Sequence, residues 1–214
     1  TNFEEVRLVG GRFWMGSDNF GRDERPRHVV ELTKSYWVTT TQITQKLYAD
    51  VIGENPSTFG DLDHPVGNVS WMEALVFCNA LSVRFNLKPV YTFNVNTVEI
   101  NWDANGYRLP TEAEWEFFAK AGTEMMYSGS DDINQVGWYD NNRSETTSPV
   151  AQMQANTWGI YDMTGNVWEW CWDWYDSKTY HKRSEQVMLD PTGPDFGIKR
   201  IYRGCSCRTK ERRA

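Results

Sequence analysis

From about residue 123 onward the chain carries no helical periodicity. Short apolar islands alternate there with Gly, Asn, Asp, Ser and Pro. A single domain whose second part is short strands and long loops follows an unusual plan, one that few folds share.

The first part is more regular. Val6 to Gly16 alternates around Gly10-Gly11 and reads as a β-hairpin with a glycine turn. His28–Leu32 and Ser35–Thr39 are β-branched and aromatic runs and read as strands. Thr40 or Thr41 is placed to cap a helix that runs to about Ile52 and stops at Gly53. Ser70-Trp71-Met72-Glu73 is a capping box, and the helix it opens aligns Trp71, Ala74, Leu75, Cys78 and Leu81 on one face. That face is the buried one, so Cys78 reads as structural rather than reactive. Residues 89–107 read as a short hairpin insertion. Thr111 and Glu114 form a second capping box for a helix ending at Lys120. Glu112, Glu114 and Glu116 crowd its start, where capping and the helix dipole account for them better than acid–base chemistry.

Totals narrow the function classes. The 214 residues suit one domain spanning the whole chain, large enough to bury a core. A net charge of −7 argues against a nucleic-acid groove. The basic stretch from Lys199 to Ala214 reads as a solvated end. Nothing approaches the 18 or so apolar residues of a membrane span. Four cysteines are too few for a disulfide scaffold and fit no zinc spacing, and the three histidines lie far apart. The 11 tryptophans are the compositional oddity, and they suit either a ring-rich core or a binding surface. No pattern fixes the compartment, with an extracellular or cell-surface setting favoured.

Ordered motifs then carry a resemblance. Gly10-Gly11-x-Phe13-x-Met15-Gly16-Ser17 opens the chain, and Asn55-Pro56-Ser57 follows the first helix. Pro65-Val66-x-Asn68-Val69-Ser70-Trp71 leads into Ala74 and Phe77-Cys78-Asn79. Arg108-Leu109-Pro110-Thr111-Glu112-Ala113-Glu114-Trp115-Glu116 and Gly159-Ile160-Tyr161-Asp162-Met163-x-Gly165-Asn166-Val167-Trp168-Glu169-Trp170 come later. Together they resemble the signatures of the formylglycine-generating enzyme, or sulfatase-modifying factor, family. The resemblance covers residues 5–206. It implies an α+β, C-type-lectin-like fold, low in regular structure, with two main helices and small antiparallel sheets.

It also implies a structural calcium site. The matching positions are Asp162, Gly165, Val167 and Glu169, with carboxylates expected from Asp162 and Glu169 and carbonyls from Gly165 and Val167. The plain alternative is that Asp162 caps a turn and Glu169 pairs with an Arg. The family's enzymes oxidise a sulfatase cysteine with two copper(I)-binding cysteines, placed just past an Arg-Gly-Gly-Ser motif. Here that motif reads Arg203-Gly204-Cys205-Ser206, and Thr209 stands where the first of those cysteines belongs. The second position, like the family's closing Gly-Phe-Arg segment, would fall past Ala214, so the C-terminal segment is expected to be truncated. Cys205 and Cys207 are near but off register.

Relatives that lose the cysteines include the variable proteins of diversity-generating retroelements. The expected function is therefore a non-catalytic domain binding a protein or small-molecule ligand, with a copper-dependent formylglycine-generating oxidase as the alternative. Alternation along Trp168-Glu169-Trp170-Cys171-Trp172-Asp173-Trp174 puts Trp168, Trp170, Trp172 and Trp174 on one face of a strand. Either they border a ligand site, with Arg203 and Ser206 nearby, or they form a buried aromatic seam between the two halves of the domain.

Overall fold

The computed structural model describes residues 3–142 and 146–209. The end of the basic stretch, Lys210 to Ala214, lies outside them. In chain order the elements are strands β1 (Glu5–Val9), β2 (Arg12–Met15), β3 (His28–Glu31) and β4 (Ser35–Thr39), then helices α1 (Gln45–Ile52) and α2 (Trp71–Arg84). Next come β5 (Tyr91–Phe93), β6 (Val98–Ile100), helix α3 (Glu112–Lys120), the short α4 (Ile133–Val136) and β7 (Gly137–Trp138). β8 (Thr164–Gly165), β9 (Glu169–Trp174), the short α5 (Thr179–Arg183), β10 (Met188–Leu189) and β11 (Arg200–Arg203) complete the chain.

The three longer helices start where side chains satisfy their first N–H groups. Both capping boxes form. Ser70 Oγ accepts from Glu73 N at 3.3 Å while Glu73 accepts from Ser70 N at 2.7 Å. Thr111 and Glu114 repeat the exchange at 3.2 and 2.8 Å. The cap of α1 is Thr44, later than expected, with its hydroxyl accepting from Leu47 N at 3.1 Å. Gly53 ends that helix in the left-handed region, as expected. The hairpin of residues 89–107 is β5–β6.

The expected N-terminal hairpin does not form. β1 pairs with β4, and β2 pairs with β3, so the strands on either side of Gly10-Gly11 belong to different sheets. The glycine is needed for close passage instead of a turn: a Cβ on Gly10 would stand 2.1 Å from Leu32 O. The fold is otherwise the expected α+β arrangement of small sheets, with one difference. Two short pairings, β10 with β3 and β7 with β8, run parallel.

Two hydrophobic cores result. One joins α3 to β2 and β3, through Met15, Val30, Leu32, Trp115, Phe118 and Cys171. The other lies under α1, α2 and the β5–β6 hairpin, through Leu47, Leu75, Cys78, Leu81 and Val90. Strand β9 runs between them. Its alternation sends Cys171 into the first core and Trp172 against the second. The β9–β11 pair is therefore the seam of the domain, and the candidate site sits on it.

Candidate functional site

The two faces of the β9–β11 pair have different chemistry. The inner face carries Glu169, Cys171 and Asp173 of β9, with Arg203 opposite Glu169. Arg203 is not a surface residue. Its guanidinium reaches Glu112 Oε1 at 3.1 Å and Glu116 Oε2 at 2.9 Å, one turn apart on α3, and lies over the Trp115 ring. Glu116 also accepts from Gly16 N at 2.8 Å. Burial pushes both carboxyls up. Arg203 and then Lys120 bring Glu116 below its ordinary value, whereas Glu112 stays above it. These glutamates thus have a partner that capping and dipole arguments did not supply.

The outer face is aromatic, and it divides along its length. At one end Trp172 stacks on Tyr91 at 5.6 Å and meets Trp71 at 5.5 Å and Trp102 at 6.0 Å. Arg200 lies between Trp71 and Trp174, 3.7 and 3.4 Å from the two ring centroids. Burial lowers its pKa to about 10. At the other end Trp168 and Tyr202 pack edge to face at 4.9 Å. They are 45% and 51% exposed, so this end faces solvent. Trp170 sits between the two ends, against Tyr202, with its indole N–H on Val69 O. Ser206 spends its hydroxyl in a turn closed by Thr209, whose Oγ1 also accepts from Ser206 N at 3.1 Å.

The loop before β9 gathers acceptors. Asp162, Gly165 and Asn166 all have positive φ, which turns successive carbonyls to one side. A Cβ on Gly165 would stand 2.1 Å from Trp138 O, so only glycine fits there. Asn166 pins the loop with a two-way amide bond to Ser148, at 3.0 Å each way. Four oxygens then converge on one point: the carbonyls of Asp162, Gly165 and Val167 and Oε1 of Glu169. That point is held by Nε2 of Gln42, at 3.1, 3.3, 3.1 and 2.8 Å respectively. Asp162 contributes its main-chain oxygen here, whereas the sequence led us to expect its carboxylate. Its Oδ2 accepts from Ala151 N at 2.9 Å, and Oδ1 has no hydrogen-bond partner among the described residues. Glu169 pairs with no arginine among the described residues. Its Oε2 accepts from the Trp115 indole at 2.9 Å. Burial pushes Glu169 up to about 7 and Asp162 up to about 6.

All four cysteines are buried. Burial pushes Cys78 up to about 12 and Cys205 up to about 11, which suits the structural role read for Cys78. Among the described residues, no group of three or more His, Cys, Asp or Glu side chains is arranged to hold a metal, so any cation in the loop would rest mainly on carbonyls. No helix of the described residues is long and apolar enough to cross a membrane.

An α+β domain with this seam and this acceptor loop has the architecture of the formylglycine-generating-enzyme class. The chain belongs to the sulfatase-modifying factor enzyme 1-like domain family, whose pattern it matches over residues 1–213. It is similar to the formylglycine-generating enzyme of Streptomyces coelicolor, 34% identical over 251 residues covering 94% of this chain and 78% of that one. It is also similar to the chaperone protein LppX of Paenibacillus barcinonensis, 41% identical over 176 residues, or 65% of this chain. The match spans 62% of the length of LppX. Among solved structures, Treponema denticola variable protein 1 superposes with a TM-score of 0.90 at 32% identity, covering 99% of this chain and 86% of that one.

Proposed function

We propose that this domain is a non-catalytic binding module of the variable-protein kind, which presents the open end of its β9–β11 face to a protein or small-molecule ligand. The observation that carries the reading is the Trp168–Tyr202 pair, two large rings left half exposed at the end of a strand pair whose other aromatics are packed, Tyr202 on β11 and Trp168 just before β9. Exposed Trp and Tyr offer large contact area at low conformational cost, which is why binding surfaces favour them. The likeness to Treponema denticola variable protein 1 over nearly the whole chain supports it. So does Thr209, which by the family resemblance stands where a catalytic cysteine would and which closes a turn with Ser206.

The scaffold beneath this face is, in the same proposal, calcium-stabilised. The donor set suits a hard dication. Three carbonyls and one carboxylate converge on a point, Asp162 Oδ1 is buried without a partner, and neither Glu169 nor Asp162 has an ion pair among the described residues. An amide NH2 has two hydrogens and cannot satisfy four acceptors.

The alternative function is a copper-dependent oxidase that converts a sulfatase cysteine to formylglycine, which the 34% identity to the Streptomyces enzyme favours. The display reading has its own test. The double variant Trp168→Ser/Tyr202→Ser is expected to melt within about 2 °C of the parent, since exposed positions away from core and caps shift stability little. A loss of many degrees would make these rings part of the core and overturn the display reading.

A further inference from the structure

Among the described residues, most cations that lie over an aromatic ring also have a carboxylate. Arg27 over Trp14 meets Glu124 at 2.8 Å, and Arg108 over Trp102 meets Glu114 at 2.6 Å. Lys120 over Phe13 meets Glu116 at 3.3 Å, and Arg203 over Trp115 meets Glu112 and Glu116. Arg200 is the exception. It is stacked between rings, yet no carboxylate of the described residues pairs with it, in a chain of net charge −7.

Arg200 is nevertheless held in place. The Trp71 and Trp174 rings stack with their centroids 6.4 Å apart, and the guanidinium fills the slot between them. Nη1 donates to Trp172 O. Nε is buried without a hydrogen-bond partner among the described residues. Nη2 donates to none of them either, and it is not buried. With its pKa at about 10, the group keeps its charge at neutral pH. A guanidinium held this way has lost its side-chain freedom and part of its hydration before any ligand arrives. An anion at Nη2 therefore supplies the missing charge partner at little ordering cost. Arg200 and Tyr202 stand two residues apart on β11, across its bulge, which is about 7 Å along an extended chain. One small ligand can reach both.

We infer that Arg200 is an anion anchor on the outer face of the β9–β11 pair and takes a carboxylate oxygen of the ligand on Nη2. This rests on the binding reading above and names the chemistry of its ligand. That ligand carries a carboxylate next to an apolar or aromatic group, and the latter lies against Trp168 and Tyr202. The carboxylate comes from a chain end or from an acidic side chain, and the test separates the two.

The test is an NMR titration of the folded protein with three blocked probes. N-acetylphenylalanine carries a chain-end carboxylate. The amide of N-acetylglutamylphenylalanine carries a side-chain carboxylate, and its glutaminyl counterpart carries neither. One carboxylate probe or both should bind about tenfold tighter than the neutral one, the gain of one hydrogen bond to a charged group. Whichever does so identifies the source. Arg200→Gln, checked for folding by circular dichroism, should erase that difference and leave the neutral probe unchanged. Should this variant fail to fold, nuclear Overhauser contacts in the parent decide instead. Contacts from the bound carboxylate probe to the Trp71 and Trp174 rings are expected, and their absence would overturn the anchor. A carboxylate preference that Arg200→Gln leaves intact would overturn it too. Equal binding of all three probes, lost in Trp168→Ser/Tyr202→Ser, would overturn the anchor and leave the binding reading standing. Equal binding that the double variant leaves unchanged would overturn both. A parent that binds none of the probes would overturn the anchor, and the melt of the double variant then judges the binding reading by itself.

Discussion

Replacing Arg203 by Ala is expected to lower stability by about 3 kcal/mol, the low end of what removing one partner of a buried ion pair costs. The low end applies because the arginine side chain retains 24% of its exposure, while Glu112 and Glu116 retain only 9% and 7%. For a domain of this size that is a fall in melting midpoint of roughly 6–12 °C. The cause is two carboxylates left buried on α3 without their shared cation. Adding Glu112→Gln and Glu116→Gln to Arg203→Ala should therefore recover part of the loss. The pH dependence has a definite sign. Glu112 already sits above its ordinary range because of burial, and losing Arg203 raises it further and also lifts Glu116 from its lowered position. A raised carboxyl destabilises the folded state above its folded pKa and costs nothing below its unfolded one. The deficit of Arg203→Ala should thus be full at neutral pH and shrink as pH falls toward 4. A variant indistinguishable from the parent at neutral pH would return Arg203 to the surface role that its sequence context suggested.

Trp172→Ala should cost about 3–4 kcal/mol, within the range for removing a large ring from a packed site. Trp172 touches the rings of Tyr91, Trp71 and Trp102, and its carbonyl accepts from Arg200. Its loss opens the second core and frees Arg200, which stacks on Trp71 and Trp174. Trp168 stands four residues earlier on the same side of the chain and should cost little. Equilibrium denaturation of the two single alanine variants measures the contrast directly. Equal losses would mean that the aromatic face is one continuous seam. Sequence alternation put the tryptophans on one face but could not divide them. What divides them is which part of the strand α2 and the β5–β6 hairpin happen to cover.

Other elements show the same boundary between local and tertiary information. Ser70, Thr111 and Gly53 were legible because capping is settled within a few residues. The Gly10-Gly11 pair misled because a turn and a close backbone passage make the same demand on a residue, and only the pairing of β1 with β4 separates them. Glu112 and Glu116 were visible as helix-start acids. Their spacing of one turn on a face that becomes buried was the signal that they would need a cation, and Arg203 comes from a strand about 90 residues away. The acceptor loop was legible through its resemblance, but its use of the Asp162 carbonyl was not, since that depends on a positive φ at Asp162. Gln42 carried no motif at all. Tyr202 was missed because its partner Trp168 lies across a bulged strand pair.

The use of this scaffold for binding rather than oxidation is tested most directly by chemistry on a client peptide. A peptide bearing the Cys-x-Pro-x-Arg sulfatase motif is incubated with the protein, copper(I), a reductant and oxygen, and aldehyde is measured by hydrazone formation and mass. With Thr209 where the family resemblance would put a copper ligand, no aldehyde above the protein-free control is expected. Copper-dependent turnover of the cysteine to formylglycine would contradict the binding reading and establish the oxidase in its place.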